Sequence, residues 1–362
     1  MPQDNVLTAS KPDIIKIATF NLFNYLEPPF AFYDFDNIYD SEQWQKKQRW
    51  ICDYLSEYQP DVVGFQEVFS PESLRELVKK QGYPYFAVID EATLISDYIY
   101  QSPVVAIASR YPIQSVAPVT ANPELSSLMG LSDNFCFSRK PLRASVELPN
   151  LGLCDCYVVH FKSKRPTIEN EDSNDANIVK AIITEVTGSW ASSVQRGSEA
   201  ALLLSAIIER REQTGYPALL MGDFNDDLKN GVLQHLLTKT VRGKSQANSN
   251  ELLAPYLLKD SWTLFQSTRL FEINQQTSSP EIGTVDNSHV LPRRPYSHYY
   301  GSKGSVIDYI LISSEFDPEY QESLAEVVDY HTYDRHLLNP VYERDSQSTD
   351  HAIIMVSLKL RS

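Results

Sequence analysis

Pro217-Ala218-Leu219-Leu220-Met221-Gly222-Asp223-Phe224-Asn225-Asp226 is the stretch on which the reading of this chain turns. An apolar run meets a glycine, and a carboxylate and a carboxamide follow two residues apart. Side chains at that spacing share one face of an extended segment. An Asp and an Asn presented together where a buried strand leaves its sheet can hold a water and a phosphoryl oxygen at once, the positioning that phosphate-ester cleavage needs. In isolation the segment has a second meaning, a turn closed by an Asx cap.

Working outward, similar strand ends recur. Ile14-Ile15-Lys16-Ile17-Ala18-Thr19-Phe20-Asn21 is β-branched and aromatic and ends on an amide, while Asp61-Val62-Val63-Gly64-Phe65-Gln66-Glu67 ends on a carboxylate. Cys156-Tyr157-Val158-Val159-His160 ends on an imidazole. Val306-Ile307-Asp308-Tyr309-Ile310-Leu311-Ile312 carries an Asp inside an apolar run, and Asp350-His351 precedes the strand Ala352-Ile353-Ile354-Met355-Val356. One such polar residue is ordinarily structural. A set restricted to Asn, Asp, Glu and His is what metal-assisted phosphoester hydrolysis uses.

The ordered series Thr19-x-Asn21, Gln66-Glu67, His160, Gly222-Asp223-x-Asn225, Ile307-Asp308-Tyr309 and Thr349-Asp350-His351 resembles the endonuclease/exonuclease/phosphatase superfamily, from residue 14 to 360. Each motif alone is weak; the ordered set is specific. Phe137-Ser138-Arg139-Lys140-Pro141-Leu142 is similar to the Arg-bearing segment of pancreatic-type deoxyribonucleases. His160-Phe161-Lys162-Ser163-Lys164 looks like the His-x-Lys-Ser-Lys of bacterial extracellular nucleases. The resemblance implies an α/β (α+β) fold, a four-layer sandwich of two packed mixed β-sheets flanked by helices, with the site where strand ends converge.

With 362 residues the chain buries a sizeable core, and it reads as one domain over residues 14–360 behind a tail of residues 1–13. The motif residues run from Asn21 to His351, so neither half would hold a complete site. A net charge of −15 argues against a protein that coats nucleic acid through a broad basic surface. It leaves room for a nuclease, because a small basic patch with a divalent cation attracts one phosphate locally. Cys52, Cys136, Cys154 and Cys156 have no zinc spacing and are expected as free thiols. The polar start from Met1 to Asn5 lacks a signal core, and no run approaches the ~20 apolar residues of a membrane span. The chain as written is therefore expected in the cytoplasm, or in a secreted or periplasmic location if a leader was trimmed.

The first strand is followed by an aromatic and acidic loop from Phe23 to Asp40. A helix then starts at Ser41 with Trp44, Ile51, Leu55 and Tyr58 on its apolar side, Trp44 being core rather than a base-stacking platform. A second helix runs from Pro71, after the cap-like Ser70, to a stop at Gly82. Strands are expected near Tyr85 to Ile89, Val104 to Ala108 and Arg143 to Leu148, with Tyr111-Pro112 turning between the latter two. Residues 166–193, with Glu169, Glu171, Asp172 and Asp175, read as a surface insertion ahead of an amphipathic helix near Arg196 to Arg211. A second insertion, Tyr330 to Ser348, carries His331, Asp334 and His336 on no regular period, more consistent with scattered surface histidines than with a metal site.

Glu67 is the leading metal ligand, since a hard cation such as Mg²⁺ (Mn²⁺ or Ca²⁺ being alternatives) takes one or two carboxylates and keeps other positions for water and phosphate. Asn21 and Asp350 would complete the shell. His160 and His351 would face the scissile phosphate, and the resemblance pairs Asp308 with His351 as its orienting carboxylate. Asp223 would position or deprotonate the attacking water, and Asn225 would hold water or a phosphate oxygen. Arg139 offers a bidentate fork, Lys162 and Lys164 flexible point charges, and the loop from Tyr299 to Ser305 backbone N–H groups and the Ser305 hydroxyl. The expected activity is a divalent-metal-dependent phosphodiester hydrolase acting on nucleic acid, DNA favoured, with no obligate protein partner evident. The alternatives are an inositol-phosphate phosphatase or sphingomyelinase-like phosphodiesterase, and, more remotely, an inactive binding module.

Overall fold

The strand ends quoted above terminate two six-stranded sheets. The computed structural model describes residues 14–167, 178–229, 231–242, 251–277 and 291–361. The first sheet runs in spatial order β16 (Ala325–Tyr333), β17 (Ile353–Leu360), β1 (Ile14–Tyr25), β3 (Val62–Val68), β7 (Val104–Ser109) and β4 (Tyr85–Val88). The second runs β12 (Leu258–Asp260), β15 (Asp308–Ser313), β11 (Ala218–Asp223), β10 (Gly152–His160), β9 (Leu142–Leu148) and β8 (Ile113–Pro118). Each is mixed, with one parallel pair at its centre: β1 beside β3, and β10 beside β11.

Period-two alternation separates the layers. Ile15 and Ile17 of β1, Leu219 and Met221 of β11, Ile310 and Ile312 of β15, and Ile354 and Val356 of β17 fill the core between the sheets. The opposite parity packs outward. Ala18, Phe20 and Leu22 meet Trp44, Trp50, Ile51 and Leu55 of α1 (Ser41–Tyr58) and Leu74 and Val78 of α2 (Pro71–Lys80). Leu220 and Leu311 meet Leu203 and Ile207 of α4 (Ile178–Thr214). The result is helix, sheet, sheet, helix, the four-layer sandwich that the sequence suggested. At Gly64 of β3 a Cβ would come within 2.9 Å of the Met221 side chain, so a glycine there lets the two sheets approach.

Local details depart from expectation. The Ser70 side chain caps nothing in α2; its hydroxyl instead accepts the Glu27 N–H at 2.9 Å. Between Tyr111-Pro112 and β9 the chain inserts the edge strand β8 and a short helix α3 (Pro123–Leu128), because β8 is largely exposed and ends on Pro118, leaving no buried apolar signature. α4 begins at Ile178 rather than near Arg196, with its first turns exposing Ile178, Val179, Ile182, Ile183, Val186 and Trp190. The tail of residues 1–13 and the acidic residues Glu169, Glu171, Asp172 and Asp175 lie outside the described residues. Small pairings complete the chain: β2 (Ala31–Phe32), β6 (Ile99–Gln101) and β5 (Thr93–Leu94) form a three-stranded ribbon, and β13 (His298–Tyr300) pairs with β14 (Lys303–Ser305). All four cysteines are free, as expected. No helix of the described residues is long and apolar enough to cross a membrane.

Candidate active site

The same alternation that builds the core also builds the site. Asn21 continues the inward face of Ile15 and Ile17, His160 that of Cys156 and Val158, Asp223 that of Leu219 and Met221, and Asp308 that of Ile310 and Ile312. Register then brings them together, since His160 pairs with Asp223 across β10 and β11, and Asp223 with Asp308 across β11 and β15. Glu67 breaks this parity. Its φ of 59° and the irregular register between Phe65 and Val68 turn its carboxylate toward the site. There Oε2 accepts the Asn24 N–H at 2.9 Å and Oε1 faces the Asn21 amide nitrogen at 3.5 Å.

At the centre is Asp223, whose Oδ2 accepts from Asn21 Nδ2 at 3.2 Å and lies 3.4 Å from His160 Nε2 and 3.8 Å from His351 Nε2. Its Oδ1 accepts the Asn225 N–H at 2.8 Å. Burial pushes the Asp223 carboxyl up to about 7; the His351 charge opposes this and the Asp308 and Glu67 charges add to it. His351 Nδ1 sits 2.9 Å from Asp308 Oδ2 and 3.1 Å from Oδ1. Burial works against protonating His351, but Asp308, Asp223 and Asp350 outweigh it and raise the imidazole well above its ordinary value. His160 goes the other way. Burial, reinforced by the Arg139, His351 and Lys162 charges, holds it well below. Two histidines facing one carboxylate are therefore shifted in opposite directions, a division of labour suited to proton transfer.

Glu67 is likewise pushed up, first by burial and then by the like charge of Asp350, which a cation held there would relieve. Asp350 is half-exposed, and its Oδ1, closed off from solvent, has no hydrogen-bond partner. The described residues hold two groups whose ligand atoms lie within 4.8 Å of one another: Asp223, Asp308 and His351, and His298, Asp350 and His351.

The chain matches the family model described as Endonuclease/Exonuclease/phosphatase family over residues 18–351. It belongs to that family. Among solved structures it is similar to the human Nocturnin catalytic domain with bound sulfate anion, at 15% identity and TM-score 0.53, covering 96% of this chain and 95% of that one. It is also similar to a truncated Caenorhabditis elegans TDP2, at 13% identity and TM-score 0.51, covering 96% and 97%. These likenesses are of fold. No curated protein sequence matches the chain.

Within this member of the endonuclease/exonuclease/phosphatase family, the candidate site residues make contacts that residue type alone does not specify. Asn21, read as a metal ligand, gives its oxygen to the Phe23 N–H at 3.0 Å and its nitrogen to Asp223 and Glu67, making it a strut between the two carboxylates. Lys162 turns its ammonium back onto its own loop, donating to the Arg165 carbonyl at 2.9 Å, and Lys164 is paired with Asp226 at 2.9 Å. Ser305 lies in the β13–β14 ribbon, where its carbonyl accepts the Ser297 N–H at 2.9 Å. Asn225, at φ 56°, donates through Nδ2 to the Phe161 carbonyl at 3.0 Å, and Arg139 reaches the same oxygen at 3.4 Å. His331 stacks on Tyr58 and His336 is buried with Nε2 2.9 Å from the His351 carbonyl, so this pair is structural.

Sequence reasoning missed three supports. Lys47 is buried, donates to the Ser348 carbonyl at 3.2 Å, and is held down to about 7 by burial against the pull of Asp350 and Glu67. Its position three after Trp44 and four before Ile51 places it on the apolar side of α1, which was the available signal. Glu199, buried in α4, accepts from the Ser138 and Lys162 N–H groups at 2.6 and 2.8 Å, binding the Arg139 segment to the loop after His160. His298 lies against His351 with ring centroids 5.0 Å apart.

Proposed function

We propose that this protein is a divalent-metal-dependent phosphodiester hydrolase acting on nucleic acid, with DNA as the favoured substrate. The observation that carries the reading is the convergence on Asp223 of His160 and His351, the first held below and the second raised above the ordinary imidazole value, with Glu67, Asp350 and Arg139 beside them. Glu67 and Asp350 would hold the cation, Mg²⁺ first, Mn²⁺ or Ca²⁺ as alternatives, since both are hard oxygen donors and Asp350 Oδ1 lacks a partner. When bound, the cation supplies charge neutralisation at a phosphoryl oxygen.

The chain's own groups do the rest. Asp223, poised near neutrality, orients the attacking water and takes its proton. Asn225 fixes the far side of that position, and Asn21 holds Asp223 and Glu67 at their spacing. His351, kept charged by Asp308, stabilises charge developing on the phosphoryl group or hands a proton to the leaving oxygen. His160 donates a hydrogen bond without adding charge, and Arg139 grips a phosphate through its planar fork.

A second reading, hydrolysis of a small or lipid phosphodiester such as an inositol phosphate or sphingolipid, draws support from the lysines. Lys162 and Lys164 are engaged within their own loop and with Asp226, which thins the cationic track a long polyanion would follow. A hydrolysis panel of supercoiled DNA, single-stranded DNA, RNA, sphingomyelin and inositol phosphates, each with and without EDTA, separates the two. Arg139→Ala should raise the DNA concentration needed for half-maximal rate and reduce the salt slope by about one phosphate contact, with Arg139→Lys recovering only part. Absence of DNA and RNA cleavage alongside turnover of a lipid or inositol phosphate would overturn the nucleic-acid reading.

A further inference from the structure

Beside the oxygen-rich corner at Glu67 the site has a second corner of different donor chemistry. His298 enters from the β13–β14 ribbon, whose strand His298–Tyr300 bridges directly to His351. Its ring, the Asp350 carboxylate and His351 bring one ligand atom each within 4.8 Å of one another. The Nδ1 of His351 is taken by Asp308, which leaves Nε2 as the free donor. That nitrogen is 3.9 Å from Asp350 Oδ1, an acceptor that is closed off from solvent and hydrogen-bonded to nothing.

We propose that His298, Asp350 and His351 Nε2 form a second cation site that prefers Zn²⁺ to Mg²⁺ and, when filled, withdraws His351 from the phosphate. Two imidazoles and one carboxylate suit a borderline ion such as Zn²⁺, whereas Mg²⁺ seeks oxygen and keeps its water. Tetrahedral Zn²⁺ at about 2.0–2.1 Å from each donor separates its ligands by roughly 3.3 Å, so donors already within 4.8 Å need only a small inward rotation. The support behind the donors is in place as well. Asp308 fixes the His351 tautomer from the far nitrogen, the carboxylate–histidine–metal arrangement that raises ligand basicity. His336 holds the His351 carbonyl at 2.9 Å. The Asp308–His351 pair, set to keep a proton on the imidazole, is by the same geometry set to keep a metal on it.

The binding claim stands on geometry alone; the inhibitory consequence rests on the hydrolase reading above. Calorimetric titration of the full chain with ZnCl₂ in excess Mg²⁺ tests the first. One Zn²⁺ should bind, His298→Phe and the more conservative His298→Gln should each weaken it by about tenfold or more, and Glu67→Gln should leave it within a few-fold. Co²⁺ substituted for Zn²⁺ should show a visible spectrum with nitrogen ligation that His298→Phe abolishes. In the hydrolysis assay Zn²⁺ should inhibit the Mg²⁺-supported rate of the parent and the inhibition should be relieved by a Zn²⁺-selective chelator, while His298→Phe, measured relative to its own Mg²⁺-supported rate, resists inhibition. Equal Zn²⁺ affinity in the parent and both His298 variants, or binding lost with Glu67→Gln and kept without His298, overturns the site. Selective binding in a protein that hydrolyses nothing would instead leave the site standing and remove the hydrolase reading.

Discussion

Gly222 is the position where one added carbon should cost most. Its φ of 151° suits glycine, and a Cβ built there would lie 2.0 Å from the Val159 carbonyl oxygen and 2.9 Å from its carbon and Cγ2. The obstacle is backbone of the neighbouring strand, and it cannot move aside without shifting His160, the next residue, which pairs with Asp223. Overpacking of this kind costs ~1–3 kcal/mol and a disfavoured backbone conformation a further ~1–3 kcal/mol, so Gly222→Ala should lose roughly 2–6 kcal/mol. That is a large share of the ~5–15 kcal/mol by which domains are stable. Gly215→Ala is the control: its φ is 67° but nothing lies within 4 Å of the new Cβ, so it carries only the conformational cost of roughly 1 kcal/mol. Urea unfolding followed by tryptophan fluorescence measures both. A Gly222→Ala loss no larger than that of Gly215→Ala would refute the close approach of β10 and β11 at this point.

Glu67→Gln keeps the shape and removes the charge, so metal-dependent hydrolysis should need a much higher cation concentration; full activity in excess EDTA would end the metal reading. His160→Ala and His351→Ala should each slow turnover by about 10²- to 10⁴-fold, with a smaller effect on substrate binding, as rates over a substrate series will show. If Asp308 acts through His351, Asp308→Asn combined with His351→Ala should be scarcely slower than His351→Ala alone, whereas multiplicative losses in folded variants would separate the two roles. The pH dependence has a definite sign. Between the ordinary carboxyl value of 3.8 and the folded value of about 7, the native state keeps a proton on Asp223 that the unfolded chain has released, so this group's contribution falls as pH rises through that window. Asp223→Asn should flatten that part of the Tm–pH curve in EDTA, and an unchanged slope would reject the raised carboxyl.

The layer architecture was legible because alternation in Ile14–Asn21 and Ala218–Asp223 encodes both a buried face and the polar residue that ends it. Asn21, His160, Asp223 and Asp308 came together for that reason. What stayed hidden obeys other physics. Strand parity alone puts Glu67 on the helix side, and only its positive φ brings it across. The engagement of Lys162 with the Arg165 carbonyl depends on loop geometry that residue type does not specify. Lys47 was passed over because a lysine on an apolar face ordinarily keeps its ammonium in water, and here it is spent on the Ser348 carbonyl. β8 went unseen because an exposed edge strand carries little hydrophobic contrast.

The Thr349 hydroxyl donates to the Asn21 carbonyl at 2.7 Å, stitching the segment ahead of β17 to β1. On a ribosome those partners are made far apart in time. β1 emerges first of the strands described, yet one of its two neighbours, β17, is the last of them to be synthesised, and Asp350 and His351 arrive just ahead of it. Until then the first sheet is open along β1, Asp308 has no imidazole to orient, and half of the candidate cation corner is missing. The order of translation thus sets an order of assembly: Asn21, Glu67, His160, Asp223 and Asp308 are all in the chain before Asp350 and His351 are made, so the convergence on Asp223 is closed only by the last segment to reach it.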